Sequence, residues 1–417
     1  MTKPWIDREI DLTQPRILML LENNPYRRDR RVRLEAEALC EAGCEVAVIC
    51  PRGEGEFGFA ERVGRVDVLH YPVLDIGTGA IGYVWEYLYR LMWTLAMVAW
   101  SATTRGFDVL HAHNPPDLFF LVAAPYKAFG RKFVYDHHDL APELFCERYT
   151  SSGPIPAILR SLRRASCRVA DLVITTNESQ RVVCERDSKR STPVVVVRNG
   201  PDTDRFRPVD PDPELRSRAS TVLGYVGIMG PQDGVDRLLR AVYELVHRRG
   251  IRSLLCLLVG SGDELPRLRA LARELDIEAH VHFAGWVGSD HELARLLCTA
   301  DICVVPDPPN PVNDRSTMIK VMEYMCLHKP IVAYDLPETR YTAGEAAVYA
   351  ESDDPVCLAE SIQLLANDSA RRTRMGEEGA RRIHDRFKWE HSAEVLKSVY
   401  RHHLFPDVDH GRRAANT

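Results

Sequence analysis

Arg16-Ile-Leu-Met-Leu-Leu21 is an apolar run of strand length. It is followed by a helical pattern over residues 27–42, a glycine at position 43 and a second apolar run, Glu45-Val-Ala-Val-Ile-Cys50. Two short buried runs flanking an amphipathic stretch that ends in glycine read as a βαβ unit. Working outward, strands are predicted over 66–71, 108–113, 132–136, 171–176 and 194–197, with helical stretches between most of them. Such alternation predicts an α/β architecture with a doubly wound parallel sheet.

Asn199-Gly-Pro-Asp-Thr-Asp-Arg-Phe-Arg-Pro208 and the Pro- and Asp-rich stretch up to Glu214 interrupt this pattern and read as a linker. A second α/β unit follows, with strands over 221–226, 253–259, 281–283, 302–305, 330–333 and 347–349, and helices such as 263–275. The division read from sequence is 1–205, 206–385, a closing helix over 386–404 and a fraying tail over 405–417. Two Rossmann-like sheets place the C-terminal ends of their strands at a shared cleft, where open parallel sheets bind ligands.

With 417 residues, 45% of them hydrophobic and 27% charged, the chain can bury two cores. A formal net charge of -5 argues against a nucleic-acid partner. Eleven cysteines, none in a Cys-x-x-Cys pair or at zinc-ligand spacing, indicate neither a metal cage nor a disulfide framework, and suit a reducing cytoplasm. Residues 1–14 are polar and acidic where an export signal is basic and then apolar, and the uncharged stretch 91–104 is too short to span a bilayer.

The strongest motif is Asn313-Asp-Arg-Ser-Thr-Met-Ile-Lys-Val-Met-Glu-Tyr-Met325 followed by Lys329-Pro-Ile-Val-Ala333, which reads as loop, helix, turn and strand. Ser316, Thr317 and Met318 are predicted at the helix start, where backbone N–H groups and the positive dipole end suit a diphosphate, with Lys320 adding a cation. Glu323, further in, has a carboxylate able to accept both hydroxyls of a ribose. Val226-Gly-Ile-Met-Gly-Pro-Gln-Asp-Gly-Val-Asp236 supplies a glycine-lined turn, with Gly227 and Gly230 bringing amides close to phosphate. Leu257-Leu-Val-Gly-Ser-Gly-Asp263 is a strand and tight turn, and Val281-His-Phe-Ala-Gly-Trp-Val287 either packs in the core or offers Trp286 to a base.

Taken together, these segments resemble glycosyltransferase family four, the retaining, nucleotide-sugar-dependent group of the GT-B fold, over nearly the whole chain. The resemblance implies that Glu323 is the second glutamate of the family's spaced pair and binds the donor ribose. The first glutamate falls at Arg315, beside Asp314, and the family's diphosphate-gripping arginine and lysine fall at Ile228 and Asp233. It implies a metal-independent hexosyltransferase, with a UDP- or GDP-linked sugar as co-substrate and no other cofactor. The expected role is surface polysaccharide or glycolipid biosynthesis. Phe387-Lys-Trp-Glu390 resembles the family's closing element, which crosses back to the N-terminal domain.

In the N-terminal half, Asp108-Val-Leu-His-Ala-His-Asn114 and Tyr135-Asp-His-His-Asp-Leu-Ala-Pro-Glu143 end adjacent strands. The family's histidine followed by an acid matches His138 and Asp139. His113, His138, Asp139 and Lys320 are the candidate catalytic residues, although the histidines can equally serve to satisfy backbone groups. Asn23-Asn-Pro-Tyr-Arg-Arg-Asp-Arg-Arg-Val-Arg33 occupies the first strand-to-helix turn. Asn23, Asn24, Arg28 and Arg31 are read either as contacts to a glycan or lipid-linked anionic acceptor or as part of a solvated face paired with Glu35 and Glu37. Residues 83–100, rich in Trp, Tyr, Leu and Met, pack in the core or make a peripheral membrane contact at the inner face. A nucleotide-sugar epimerase and a non-catalytic nucleotide- or glycan-binding scaffold of the same fold are the alternatives. A nicotinamide dehydrogenase is disfavoured, because no Gly-x-Gly-x-x-Gly follows the first strand.

Overall fold

The computed structural model describes residues 14–53, 55, 58–74, 80–149, 154–201, 203 and 206–405. The expectations for the leader up to residue 13 and for the tail from 406 fall outside the described residues. Two compact units emerge. One takes in the N-terminal elements through Val197 together with the returning segment from Ser392, and the other is Arg198–His391.

The N-terminal sheet comprises β1 (Arg16–Leu20), β2 (Glu45–Pro51), β3 (Ala60–Val63), β4 (Val66–Tyr71), β5 (Val109–His113), β6 (Lys132–His137), β7 (Leu172–Thr175) and β8 (Val194–Val196), in the order β3-β4-β2-β1-β5-β6-β7-β8. All neighbours are parallel except β3 and β4. β3 was not anticipated. Its four residues, Ala-Glu-Arg-Val, alternate between exposed and half-buried and carry charges, as befits a short edge strand that must not template further pairing. The first helix starts at Arg30, not at residue 27, because the Asp29 carboxylate accepts the Val32 N–H and caps it.

The second sheet comprises β9 (Thr221–Val226), β10 (Leu254–Val259), β11 (Val281–Gly285), β12 (Ile302–Val305), β13 (Ile331–Tyr334) and β14 (Ala347–Ala350), all parallel, in the order β11-β10-β9-β12-β13-β14. Every residue of β10, Leu-Leu-Cys-Leu-Leu-Val, is buried, as expected for a parallel strand with both faces covered by helices. The stretch read as a linker contains a short helix, Pro213–Ser217, capped by Asp212.

In both sheets the strand order reverses once, between β1 and β5 and between β9 and β12. The crevice beyond such a reversal, at the carboxyl ends of the strands, is where open α/β sheets take ligands. The helix Ile319–Cys326 is fixed to this edge of the second sheet by the buried Tyr324 hydroxyl, which accepts the Val226 N–H at 2.9 Å. Tyr324→Phe removes that acceptor, and urea unfolding of the C-terminal unit should show a loss of about 1–2 kcal/mol. An unchanged midpoint would mean that water replaces the hydroxyl there.

Candidate functional site

The ends of β9, β10 and β11 are knitted together by backbone alone. Gly227 N–H donates to Val259 O (3.1 Å), Met229 N–H to Ser261 O (3.0 Å) and Gly260 N–H to Gly285 O (2.8 Å). A Cβ at Gly260 would lie 1.9 Å from Gly227 O, and one at Gly234, where φ is +65°, would lie 2.0 Å from Pro306 O. Only glycine allows this approach. Within the turn Met229 is fully buried, whereas Ile228 is 69% exposed at the position where the family carries its arginine.

Lys320 does not stand ready as a spare cation. Its Nζ donates to both oxygens of Asp307 at 2.9 Å, lies 3.9 Å from Asp233 Oδ1 and sits 4.8 Å from the centre of the Tyr225 ring. Asp233 accepts the Gly230 N–H and closes the turn Pro231–Asp233. Burial pushes its carboxyl up to about 6, against the pull of Lys320 and with the help of Asp307. Lys320, read from sequence as an added cation, is therefore an ammonium between two acids.

The helix begins at Ile319 with Met318 as its cap, later than the sequence reading, which placed Ser316, Thr317 and Met318 in the first turn. Ser316 instead ends the short turn Asn313–Arg315, and its Oγ donates to Val312 O at 2.7 Å. Asp314 and Arg315 lie in that turn. Burial raises the Asp314 pKa, with Arg315 opposing. Glu323 is half-buried in the helix, and Trp286, just past β11, is 77% exposed. Asn313, not singled out from sequence, ties the turn down through its Nδ2, which donates to Gln232 O (3.0 Å) and Pro308 O (2.9 Å).

In the N-terminal unit the arginine-rich helix start divides. Asn24 and Arg28 are exposed and Asn23 is half-buried. Arg31 is buried, which corrects its reading as an acceptor contact. Its Nε and NH2 bind the two oxygens of Asp136 at 2.8 and 3.0 Å, NH1 donates to Val197 O at 3.0 Å, and NH2 lies 3.0 Å from Glu35. The predicted pairing with Glu35 exists, but inside the unit and not on a solvated face.

His113 is likewise fully buried, with Nδ1 3.1 Å from Asp136, and it reaches no solvent from which a substrate could approach. Burial keeps its pKa low, and that of the neighbouring His111 lower still. His138 and Asp139 are half-buried. Burial works against a proton on His138, but Asp136 and Asp139 outweigh it and raise its pKa. Asn114, also missed from sequence, links the two histidine segments: its Oδ1 accepts the N–H groups of His138 (2.7 Å) and Asp139 (3.0 Å), and its Nδ2 donates to Asp139 O (2.8 Å). Glu143 belongs to the helix Ala141–Tyr149 and pairs with Arg163 at 3.3 Å.

The helix Ala80–Thr104 divides its faces. Met97, Val98 and Ala102 enter the core, whereas Trp85, Leu88, Met92 and Leu95, spaced along one side, are exposed. Among the described residues no helix is long and apolar enough to cross a membrane.

Two α/β units, each built on a mainly parallel sheet, define the GT-B class. The solved structures agree: sucrose-phosphate synthase from Thermosynechococcus elongatus is similar with a TM-score of 0.75 at 20% identity, covering 93% of this chain and 99% of that one. An Anabaena protein, HepE, in complex with UDP and glucose, is similar with a TM-score of 0.64 at 16% identity, covering 92% and 98%. Sequence carries the assignment further. Residues 29–205 match Glycosyltransferase Family 4, residues 220–368 match Glycosyl transferases group 1, and the chain belongs to this glycosyltransferase family. A D-inositol 3-phosphate glycosyltransferase of Kineococcus radiotolerans is 30% identical over 322 residues, 71% of this chain and 72% of the relative. The corresponding protein of Corynebacterium jeikeium is 30% identical over 244 residues, 55% of this chain. The chain spans 56% of the length of the Corynebacterium jeikeium relative and 62% of that of the one from Rhodococcus opacus.

The raised Asp233 pKa has a stability consequence. An unfolded Asp ionises near its ordinary 3.8, whereas the folded one holds its proton to about 6. Folding is thus favoured below 3.8, and this advantage disappears as pH rises through about 6. Relative to Asp233→Asn, the wild-type chain should lose about 1 kcal/mol between pH 5 and pH 7, read from paired denaturation curves. Parallel curves would show that Lys320 dominates and Asp233 is already ionised at pH 5.

Proposed function

We propose that the protein transfers a sugar from a nucleoside-diphosphate sugar to a hydroxyl acceptor with retention of anomeric configuration, and that the C-terminal unit takes the donor. The observation that carries this reading is Glu323, held within the first turns of a helix whose start faces the β9–β12 reversal, with Lys320 beside it. A carboxylate there suits a ribose, and amides at the helix start suit a diphosphate. The leaving diphosphate gathers charge as it departs, so donors aimed at it favour the transition state over the ground state. Lys320 would supply that charge by exchanging Asp307 for phosphate. The Asp-x-Asp triplets of the chain, at 202–204, 210–212 and 407–409, fall in the linker and the tail, which supports diphosphate binding without a metal.

Thermal shifts with UDP, GDP, ADP and their sugars, with and without EDTA, test this. Binding to the folded state raises stability by about 2.7 kcal/mol at a hundredfold excess over Kd. A shift with one nucleotide that withstands EDTA and is lost in Glu323→Ala is expected. Equal shifts in wild type and variant would remove Glu323 from the site, and none with any nucleotide would favour a binding scaffold.

For the acceptor, the N-terminal unit offers His138, Asp139, Asn24 and Arg28. Relatives named for D-inositol 3-phosphate make a small anionic polyol the first acceptor to assay, beside lipid-linked glycans. The exposed Trp85–Leu95 face supports a lipid-bound setting, in which an aromatic and aliphatic stripe lies in the headgroup layer. The protein should then co-sediment with anionic phospholipid vesicles, and Trp85→Ser combined with Met92→Ser should abolish this. Failure of the wild type to co-sediment would leave a soluble acceptor.

A further inference from the structure

The interior of the N-terminal unit holds a group of side chains whose polar atoms turn towards one another. Glu35, His111, His113 and Asp136 are each fully buried, and one ligand-type atom from each lies within 4.8 Å of the others. His111 and His113 project from the same face of β5, Asp136 stands in register with His113 on β6, and Glu35 comes from the helix Arg30–Glu41. Individual separations are 3.1 Å (His113 Nδ1 to Asp136 Oδ2), 3.6 Å (His111 Nε2 to Glu35 Oε2) and 4.0 Å (His111 Nε2 to Asp136 Oδ2). Ligands about 2.0–2.1 Å from a tetrahedral ion are spaced about 3.3–3.4 Å apart, so modest adjustment brings these atoms to bonding positions.

Three of the inward atoms lack a hydrogen-bond partner. Glu35 Oε2, His111 Nε2 and His113 Nε2 make no hydrogen bond, whereas Glu35 Oε1 lies 3.0 Å from Arg31 NH2 and His113 Nδ1 lies 3.1 Å from Asp136 Oδ2. A buried polar atom left this way costs about 1–3 kcal/mol, and several converging on one point call for an occupant. Neighbouring groups hold the cluster in place. Tyr400 Oη lies 2.8 Å from His111 Nδ1, and Arg31 grips the Asp136 carboxylate. Contacts of this kind orient ligands around a metal. With both carboxylates ionised, as ligation requires, one guanidinium leaves one negative charge, which a divalent ion converts to one positive charge, no larger in size. Two imidazoles and two carboxylates, with no thiolate, suit a borderline first-row ion.

We infer that Glu35, His111, His113 and Asp136 form a buried site for one divalent first-row transition ion, zinc by geometry. The ion pins the helix Arg30–Glu41 to β5 and β6. It acts on the surface only through Asp136, whose Oδ1 is 3.6 Å from His138 Nδ1, so it positions that histidine and takes no part in donor binding.

The test uses the full chain without a polyhistidine tag, refolded with Zn2+ alone or Co2+ alone and freed of loose ion. Elemental analysis should find roughly one equivalent per chain, and the Co2+ form should show the visible absorption of a four-coordinate site. Glu35→Gln and His113→Gln should each lower metal content by roughly tenfold or more, whereas His384→Gln, at an exposed histidine of the other unit, should not. Folded wild-type protein that retains no ion overturns the inference and leaves a water among these side chains. Metal retained by both folded variants overturns it in favour of surface histidines. Should the variants not fold, a folded Co2+ wild type without four-coordinate absorption decides against it.

Discussion

The guanidinium of Arg31, set against the carboxylate of Asp136 with both side chains buried, is the interaction on which the N-terminal unit depends. It joins the first helix to β6, and through Val197 O it also holds the end of the unit's last strand segment. Either charge alone would be costly in that interior, and removing one partner of such a pair typically costs about 3–5 kcal/mol. Because Asp136 must remain ionised to hold Arg31, it also sets the electrostatics of His113 and His138. One buried pair therefore reaches His138, which is only partly buried.

The C-terminal unit solves a different problem with different means. The carboxyl edge of its sheet is built from backbone: three strand ends pinned by amide-to-carbonyl bonds, at glycines that exclude any side chain. Charge is then added sparingly. Lys320 is shared between Asp307 and Asp233. Where the resemblance implies an arginine and a lysine, this turn carries Ile228 and Asp233, and the ammonium near it is held in an ion pair. Any anion approaching Lys320 competes with a carboxylate already in place.

The same economy is visible in the long helix Ala80–Thr104, which serves the core on one face and leaves aromatic and aliphatic side chains on another. A contiguous exposed stripe of this kind is uncommon on a surface that meets only water.

The residues themselves determined the two parallel sheets, almost every strand, and the place of Glu323 on a helix at a strand end, because buried apolar runs and glycine-bounded turns are local signals. β3 escaped because an edge strand may be charged and short. The first helix was read too early because the arginines before Asp29 continue the pattern without being helical. Tertiary structure alone decided the fate of the charges. Arg28 and Arg31 look alike in sequence, yet one faces solvent and the other is buried against Asp136. Lys320 looked free until β12 brought Asp307 to it. Pairing of charges depends on which strands and helices become neighbours, and that is set by packing between segments distant in the chain, to which no local pattern gives access.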